Sequence, residues 1–543
     1  MATSRSEVIG TVPSLRKDVV DASPPFHRVL VANRGEVAVR IIRACRELGM
    51  EAVAIYSDPD ASARHVRIAD QAIRVGTAPP SDSYLRIDRI VAAAEETGCD
   101  AIHPGYGFLA ERAAFAGAVE HAGLAFVGPS SASIEALGDK LNARRFARDA
   151  GVPVVPGSLQ AVKVDRPDEI ASVIEGAVAI GFPLLVKAAA GGGGRGMRRV
   201  TAPAELPATL AAGAREAADA FGDGSVYLER EIVPARHIEV QLLGDATGRV
   251  IAIGERDCSL QRRHQKLVEE APAPGLTREE RQELHEMAVR VATAAGLVNA
   301  ATAEFLRSPD GGFYFLEINT RLQVEHGVTE LVSGLDIVRE QFWLAAGRPL
   351  SGEAIQAAEG ATDPESHAIE VRISAEDPAR DFAPTPGVVR HWEIPAGPGV
   401  RVDTAVTAGD RVPPDYDNLI AKLMVHAGNR AAAIRRLARA VDETEIAGIQ
   451  TTLPFHRFVV RNQAFRDGEL STGWVGEWWD GPTELGRATR TAMLAAGLDA
   501  LQRGLVPSAT GGYPPPATIS RSGWDDDGWT RAGREAATDR WPR

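Results

Sequence analysis

Between Arg28 and Ser57 the chain spells a strand, a helix and a second strand, and this alternation limits the fold more than any other stretch of its 543 residues. Arg28-Val-Leu-Val-Ala-Asn33 is a short apolar run bounded by Gly35, Glu36 to Leu48 carries apolar residues at helical spacing up to Gly49, and Glu51 to Ser57 reads as a strand again. Such a unit joins parallel strands through a crossover helix, so the N-terminal region is expected to be a parallel sheet with helices on its faces. Val152 to Gly157 is punctuated by Pro and Gly and marks a boundary. Beyond it, Pro183-Leu-Leu-Val-Lys187 is a strand running into Gly191 to Gly194, the start of a second, smaller unit. Thr277 with Glu280 forms a capping box, and Leu284, Met287, Val291 and Ala295 then share one helical face up to Gly296.

Composition narrows the class. With 44% apolar and 24% charged residues the chain reads as globular rather than fibrous or wholly disordered. Acidic residues outnumber basic ones, 73 to 60, with no long Lys/Arg block, so no nucleic-acid partner is expected. No run of eighteen apolar residues occurs and no membrane partner is expected. The three cysteines, Cys45, Cys99 and Cys258, are few and scattered, and the first 27 residues lack a hydrophobic leader, which together suggest a cytoplasmic protein. Only six of the 60 basic residues are lysine, at positions 17, 140, 163, 187, 266 and 422. Where arginine has filled nearly every basic site, the remaining lysines mark places where a compact point charge fits and a planar fork does not.

Four segments carry chemistry. Consecutive glycines in Ala190-Gly-Gly-Gly-Gly-Arg-Gly196 let backbone N–H groups close over phosphate oxygens, with Lys187 just before them; the spacing is not that of a P-loop. Two strand-like runs flank Ser308-Pro-Asp-Gly-Gly312, where Asp310-Gly311 signals a two-residue hairpin loop with Pro309 facing Gly312. That register sets Glu304 directly across from Glu317, with Asn319 two residues further on the same face. Opposed carboxylates repel unless a cation sits between them, and with an amide oxygen they suit Mg²⁺ carried on substrate phosphates. Phe305, Phe313 and Phe315 are expected to be buried on the alternate face. Arg321-Leu-Gln-Val-Glu325-His326 follows no core period; Arg321 suits a planar oxyanion such as bicarbonate and Glu325 a base. Finally, Glu255 to Lys266 packs two acids, three arginines, a histidine and a lysine into one short stretch.

These segments, with Val31-Ala-Asn-Arg-Gly-Glu36, His103-Pro-Gly-Tyr-Gly-Phe108, Arg236-His-Ile-Glu-Val-Gln241, Glu269-Glu-Ala-Pro-Ala-Pro-Gly275 and Glu370-Val-Arg-Ile-Ser-Ala-Glu-Asp377, resemble those of biotin carboxylases, the ATP-grasp component of biotin-dependent carboxylases. The resemblance covers roughly residues 27 to 480 in family order. It implies an α/β and α+β multidomain chain: an ATP-grasp fold with an N-terminal parallel α/β domain, a mobile lid and a C-terminal mixed β domain. The expected division is a disordered leader at 1–26, the N-terminal domain at 27–127, a linker at 128–155, the lid at 156–231, the C-terminal ATP-grasp and carboxylase region at 232–480, and a helix plus mostly disordered tail at 481–543.

By the same resemblance Lys140 and Lys187, with Gly192, Gly193 and Gly194, bind ATP phosphates; Glu229 and Ile232 lie by the adenine; His237, Gln261 and His264 lie by the ribose and phosphates. Glu304, Glu317 and Asn319 hold Mg²⁺ or Mn²⁺. Lys266, Arg321, Gln323 and the Val324 backbone hold bicarbonate, Glu325 deprotonates it, and Arg372 stabilises the biotin enolate. Bicarbonate attacks the γ-phosphate to give carboxyphosphate, and the CO₂ released carboxylates biotin after phosphate removes its N1′ proton. Lys422 lies in a matching segment but receives no role. Gly327 stands where many relatives carry Pro, which is expected to loosen the loop that holds Glu325.

The carrier of this enzyme class is biotinylated within an Ala-Met-Lys-Met type motif, and the chain has no Met-Lys dipeptide. Biotin is therefore expected on a separate carrier protein, with the carboxyltransferase on another chain as well, in an acyl-CoA carboxylase complex, and the family implies a homodimer or larger complex. The acceptor that is finally carboxylated lies outside the chain. Two other readings share the fold: another ATP-grasp ligase, against which Arg321, Gln323 and Glu325 argue, and a non-catalytic assembly subunit, which would have lost a metal or phosphate ligand.

Overall fold

A computed structural model describes residues 23–158, 160–162, 167–189 and 197–502. Residues 1–22 of the expected leader, the glycines Gly192, Gly193 and Gly194, and residues 503–543 lie outside the described residues.

The alternation read at the N-terminus forms as expected. Strand β1 (Arg28–Val31) leads into helix α1 (Gly35–Glu47) and strand β2 (Glu51–Ser57), and the two strands pair in parallel with Val29 beside Ala52. With β3 (Gln71–Gly76), β4 (Ala101–His103) and β5 (Ala125–Phe126) they make a five-stranded sheet in the order β3-β2-β1-β4-β5. Helix α1 buries Val37, Ile41 and Ile42 against Val29, Val31 and Ala54 of the sheet. Each such side chain contributes roughly 1.5–3 kcal/mol when fully buried. The helix stops at Gly49, whose φ of +75° lets Met50 N–H turn back onto the Cys45 carbonyl at 2.8 Å.

Residues 128–155, the expected linker, carry helices, among them α2 (Lys140–Asp149). The smaller unit follows: β6 (Leu184–Ala188) lies between β7 (Arg198–Val200) and β8 (Val226–Arg230) in an antiparallel sheet. Leu184, Val186, Leu206, Leu210, Val226 and Leu228 give it an apolar core of its own.

An eight-stranded antiparallel sheet dominates the remainder. Its strands include β9 (Arg236–Gly244), β10 (Val250–Arg262), β11 (Gln265–Ala271), β12 (Asn299–Arg307), β13 (Phe313–Asn319) and β14 (His367–Ser374), completed by Leu419–Ala427 and Val400–Thr404. Helix α3 (Arg278–Ala294) packs on it with its capping box formed by Thr277 and Glu280. Helix α4 (His326–Ser333) begins directly after the polar cluster, and helix α5 (Gly481–Gln502) ends the described chain. Among the described residues, no helix is long and apolar enough to cross a membrane.

The β12–β13 hairpin brings Glu304 opposite Glu317 as expected, but by another route. The loop takes three residues, not two: Ser308 N–H donates to the Gly312 carbonyl at 2.9 Å and Gly311 N–H to the Ser308 carbonyl at 3.0 Å. Gly312 therefore faces Ser308 rather than Pro309, and Gly311, at φ +92°, takes the left-handed position such loops end on. Leu316 then bulges out of the ladder between the Phe305–Phe315 and Glu304–Glu317 pairs, which restores the expected register. Phe305, Phe313 and Phe315 are all buried, and the first and last meet edge to face at 5.7 Å.

Candidate functional site

Three glutamates stand abreast across neighbouring strands of the large sheet. Glu317 on β13 faces Glu304 on β12, which faces Glu239 on β9, and Arg256 on β10 faces Glu239 in turn. Three carboxylates at this spacing are tolerable only with cations between them, and the fold supplies these from separate elements. Lys140, at the first turn of α2, meets Glu317 at 2.8 Å. His237, two residues before Glu239 and hence on the same face of β9, brings Nε2 to 3.0 Å from Glu304. Lys266 of β11 donates to Glu239 at 2.5 Å, to Glu304 at 3.0 Å and to Glu325 at 2.7 Å. Asn319 adds its amide N–H to Glu304 at 2.9 Å. Burial pushes the Glu304 carboxyl up, yet Lys266 and His237 outweigh it and hold the group far below the usual carboxylate range. Burial likewise opposes the charge on Lys266, and its three glutamates keep it ammonium.

Glu325 closes the cluster at the entrance to α4 and is fully buried. Lys266 holds one carboxylate oxygen; Arg372 of β14 holds the other at 2.9 Å while its Nε donates to Glu269 at 2.5 Å. Burial raises the Glu325 carboxyl, but the paired cations leave it well below its ordinary value. Alongside, Arg321 donates to Gln323 Oε1 at 2.8 Å and to Asn319 Oδ1 at 3.3 Å. Among the described residues the Nε2 of Gln323 is buried with no hydrogen-bond partner, an arrangement that costs about 1–3 kcal/mol unless something accepts from it. The loop between Asn319 and α4 thus presents Arg321, an unanswered amide donor and an ionised carboxylate to one space.

A second group gathers at the smaller unit. Glu229 on β8 is buried between Lys187 of β6 and Arg144 of α2, forming ion pairs with both. Burial raises its carboxyl and these cations, with Lys140 behind them, bring it below the ordinary value. Ile232 is half-buried just after β8, and Gln261 is buried opposite Lys266 in the β10–β11 ladder. His264 stands exposed at the tip of that hairpin, where Arg263 and His264 both adopt positive φ, 48° and 66°. A two-residue turn of this hand favours Asn-Gly; neither Arg nor His relaxes easily there, so the tip stores backbone strain.

Glu304, Asn319, Lys266, Arg321, Gln323, Glu325, Arg372 and His237 thus lie in one connected network, while Glu317 faces Glu304 across the ladder and pairs with Lys140, and Val324 lies in the loop between Gln323 and Glu325. Sequence reasoning missed Glu239, Arg144 and Glu269. Glu239 had a usable signal, since strand alternation puts it on the face of His237; Arg144 had none, being one arginine among many on an ordinary helix. Gly327 does not leave a gap, because the buried Met424 packs into the space a side chain there would need. A separate cavity of about 630 Å³, lined by Gly254, Thr329, Gly334 and Glu353, contains none of these site residues.

Three family models match the chain in order. The biotin carboxylase N-terminal domain matches residues 25–134, the ATP-binding domain of the carbamoyl-phosphate synthase L chain matches 139–353, and the biotin carboxylase C-terminal domain matches 370–477. Biotin carboxylase of Haemophilus influenzae is 47% identical over 82% of this chain and 96% of its own length. The biotin-dependent acyl-coenzyme A carboxylase alpha3 subunit of Mycobacterium leprae is 46% identical over 85% of this chain and 76% of its own. The biotin carboxylase domain dimer of Hydrogenobacter thermophilus 2-oxoglutarate carboxylase, solved with MgADP, ADP and bicarbonate, superposes with a TM-score of 0.79 at 45% identity, covering 83% of this chain and 97% of that one.

Proposed function

The chain belongs to the biotin carboxylase family of ATP-grasp ligases, and from that premise we propose that it carboxylates biotin carried on a separate protein, using ATP and bicarbonate, as the α-type subunit of an acyl-CoA carboxylase. The observation that supports the chemistry best is the Glu325 clamp: an ionised carboxylate held by Lys266 and Arg372 beside Arg321 and the unanswered Gln323 amide. A bicarbonate ion is planar and anionic, with oxygens for the Arg321 fork, the Gln323 amide and Lys266, and one proton to give.

On this reading Glu325 Oε takes the bicarbonate proton as an oxygen of the anion attacks the γ-phosphorus and ADP leaves. The resulting carboxyphosphate separates into CO₂ and phosphate, phosphate removes the N1′ proton of biotin, and N1′ adds to CO₂ while Arg372 steadies the enolate oxygen. Lys140 and Lys187 take the phosphate charge, Glu229 and Ile232 flank the adenine, and His237, Gln261 and His264 border the ribose and phosphates. The opposed Glu304 and Glu317 with Asn319 are hard oxygen donors that fit Mg²⁺. Mg²⁺ bound there supplies positive charge to the phosphate oxygens of ATP. The remaining rate enhancement is electrostatic, from cations fixed before substrate arrives.

The acyl-CoA assignment draws on the likeness to the M. leprae subunit and the homodimer on the likeness to a biotin carboxylase domain solved as a dimer; a carrier and a carboxyltransferase on other chains complete the proposal. The deciding assay is phosphate release from ATP with Mg²⁺, with and without bicarbonate and free biotin. Release that requires bicarbonate and rises with biotin supports this function; release indifferent to both overturns it. Adding the acyl-CoA carboxyltransferase and carrier then distinguishes acyl-CoA from a 2-oxo acid as acceptor.

A further inference from the structure

Of the lysines that stand out in an arginine-rich chain, Lys422 alone among those in patterned segments lacks a role in the reaction above. It is fully buried at the centre of the strand Leu419–Ala427, with Arg372 opposite it on one neighbouring strand and Asp403 on the other. Directly opposed residues point the same way, and here they serve adjacent links of one loop: Arg372 holds the Glu325 carboxylate at 2.9 Å, while Lys422 Nζ donates to the carbonyl of Val324 at 2.8 Å.

We propose that Lys422 is the positioning residue of the bicarbonate loop: by pinning the Val324 carbonyl it fixes the peptide that leads into Glu325, and with it the Val324 backbone and the Glu325 carboxylate. This rests on the bicarbonate reading of Arg321 to Glu325. The Val324 carbonyl and the Glu325 N–H share a rigid peptide plane, so holding the oxygen sets the direction in which the Glu325 side chain leaves the backbone. Glu36, at the start of α1, lies 3.4 Å from Nζ and Asp403 3.7 Å away, so two carboxylates flank the ammonium that donates to the carbonyl. Glu36 is itself bound by the Tyr106 hydroxyl, so the seat of the lysine belongs partly to the N-terminal unit. A planar guanidinium does not divide its donors in this way, which accounts for lysine persisting here. Nor is core stability a sufficient reason for the charge, because an apolar side chain of like volume is often as stable as a buried ion pair.

The test is steady-state kinetics of Lys422→Met. The expected result is a bicarbonate KM raised about tenfold or more with the ATP KM within about twofold, since small misplacements of a catalytic group are costly while the nucleotide pocket is untouched. Equal changes in both constants, or an unchanged bicarbonate KM in the folded variant, overturn the proposal. If Lys422→Met does not fold, Glu36→Gln, 3.4 Å from Nζ, loosens the seat from outside the loop; it should raise the bicarbonate KM severalfold and leave that of ATP alone, and a folded Glu36→Gln with an unchanged bicarbonate KM overturns the proposal. Failure of the underlying function looks different, because the unaltered chain would then release phosphate without regard to bicarbonate and biotin.

Discussion

Lys266 and Glu325 meet at 2.7 Å, in a pocket where Arg372 already holds the other carboxylate oxygen at 2.9 Å. Two cations on one buried carboxylate hold it well below the usual carboxylate range, so it is ionised at neutral pH. Glu325→Gln, which can neither take a proton nor satisfy both cations, is expected to lower bicarbonate-dependent phosphate release by about 10²–10⁴-fold and, by leaving Lys266 and Arg372 facing an amide, to cost about 3–5 kcal/mol of stability. Retention of more than a tenth of the rate would remove Glu325 as the base.

The same pair sets a pH limb. Burial favours the neutral acid and Lys266 is the larger of the opposing cations, so Lys266→Met should raise the Glu325 carboxyl. The acid side of the kcat/KM profile then moves to higher pH, whatever happens to the plateau. A limb that stays in place as the plateau drops would mean that Lys266 acts on the substrate alone.

Glu317 and Glu304 should separate metal affinity from stability. Glu317 is half-buried and meets Lys140, whereas Glu304 is buried and meets His237, Lys266 and Asn319. Glu317→Gln is expected to raise the Mg²⁺ needed for half-maximal rate about tenfold with little loss of stability. Glu304→Gln should lower both, by about 3–5 kcal/mol in stability, because it leaves Lys266 and His237 facing an amide. Magnesium titrations and thermal unfolding of the two variants check this.

The hairpin that carries these glutamates shows how far sequence reaches. The 304–317 register is legible because Asp-Gly and alternating side chains are local signals. The loop and ladder behind it are not, since an extra loop residue and the Leu316 bulge cancel and no local propensity reports either. The β10–β11 turn is hidden for a different reason: Arg263 and His264 are poor turn residues, held in left-handed backbone by the strands on either side. Glu239 could have been found by alternation from His237. Lys422 and Arg144 could not, because their partners, Val324, Glu36 and Glu229, are distant in the chain and only tertiary packing brings them together.

His456 donates from Nε2 to the Arg372 carbonyl at 2.7 Å, and its other ring nitrogen is buried without a partner among the described residues. Burial lowers this imidazole to about 4, so between pH 6.5 and 4 the unfolded chain takes a proton there that the folded chain refuses. Stability from this group is whole above pH 6.5 and falls as pH drops. Relative to His456→Gln, the parent should lose about 1.4 kcal/mol for each unit of pH in that window. Denaturant unfolding of both at pH 7 and pH 5.5 gives the difference; a gap that does not change with pH contradicts it.

Gly327 and Met424 should be coupled. A side chain at 327 needs the space Met424 fills, so Gly327→Ala is expected to cost about 1–3 kcal/mol by overpacking. Met424→Val alone should cost about 1 kcal/mol, and the double variant less than the two together. Strict additivity in a double-mutant cycle would show that the loop, not the methionine, yields.

The row formed by Glu317, Glu304 and Glu239 also fixes what happens to charge when a nucleotide arrives. Lys140, His237 and Lys266 are not free cations waiting for phosphate; each is already neutralised by a carboxylate of the same pocket. On the proposed reading, phosphate would claim those cations only if something else took over the glutamates, which a divalent ion would do. The nucleotide and its metal would therefore enter together, as an exchange of counter-ions. Metal-free ATP would have to leave carboxylates bare, and should bind far more weakly than the magnesium complex.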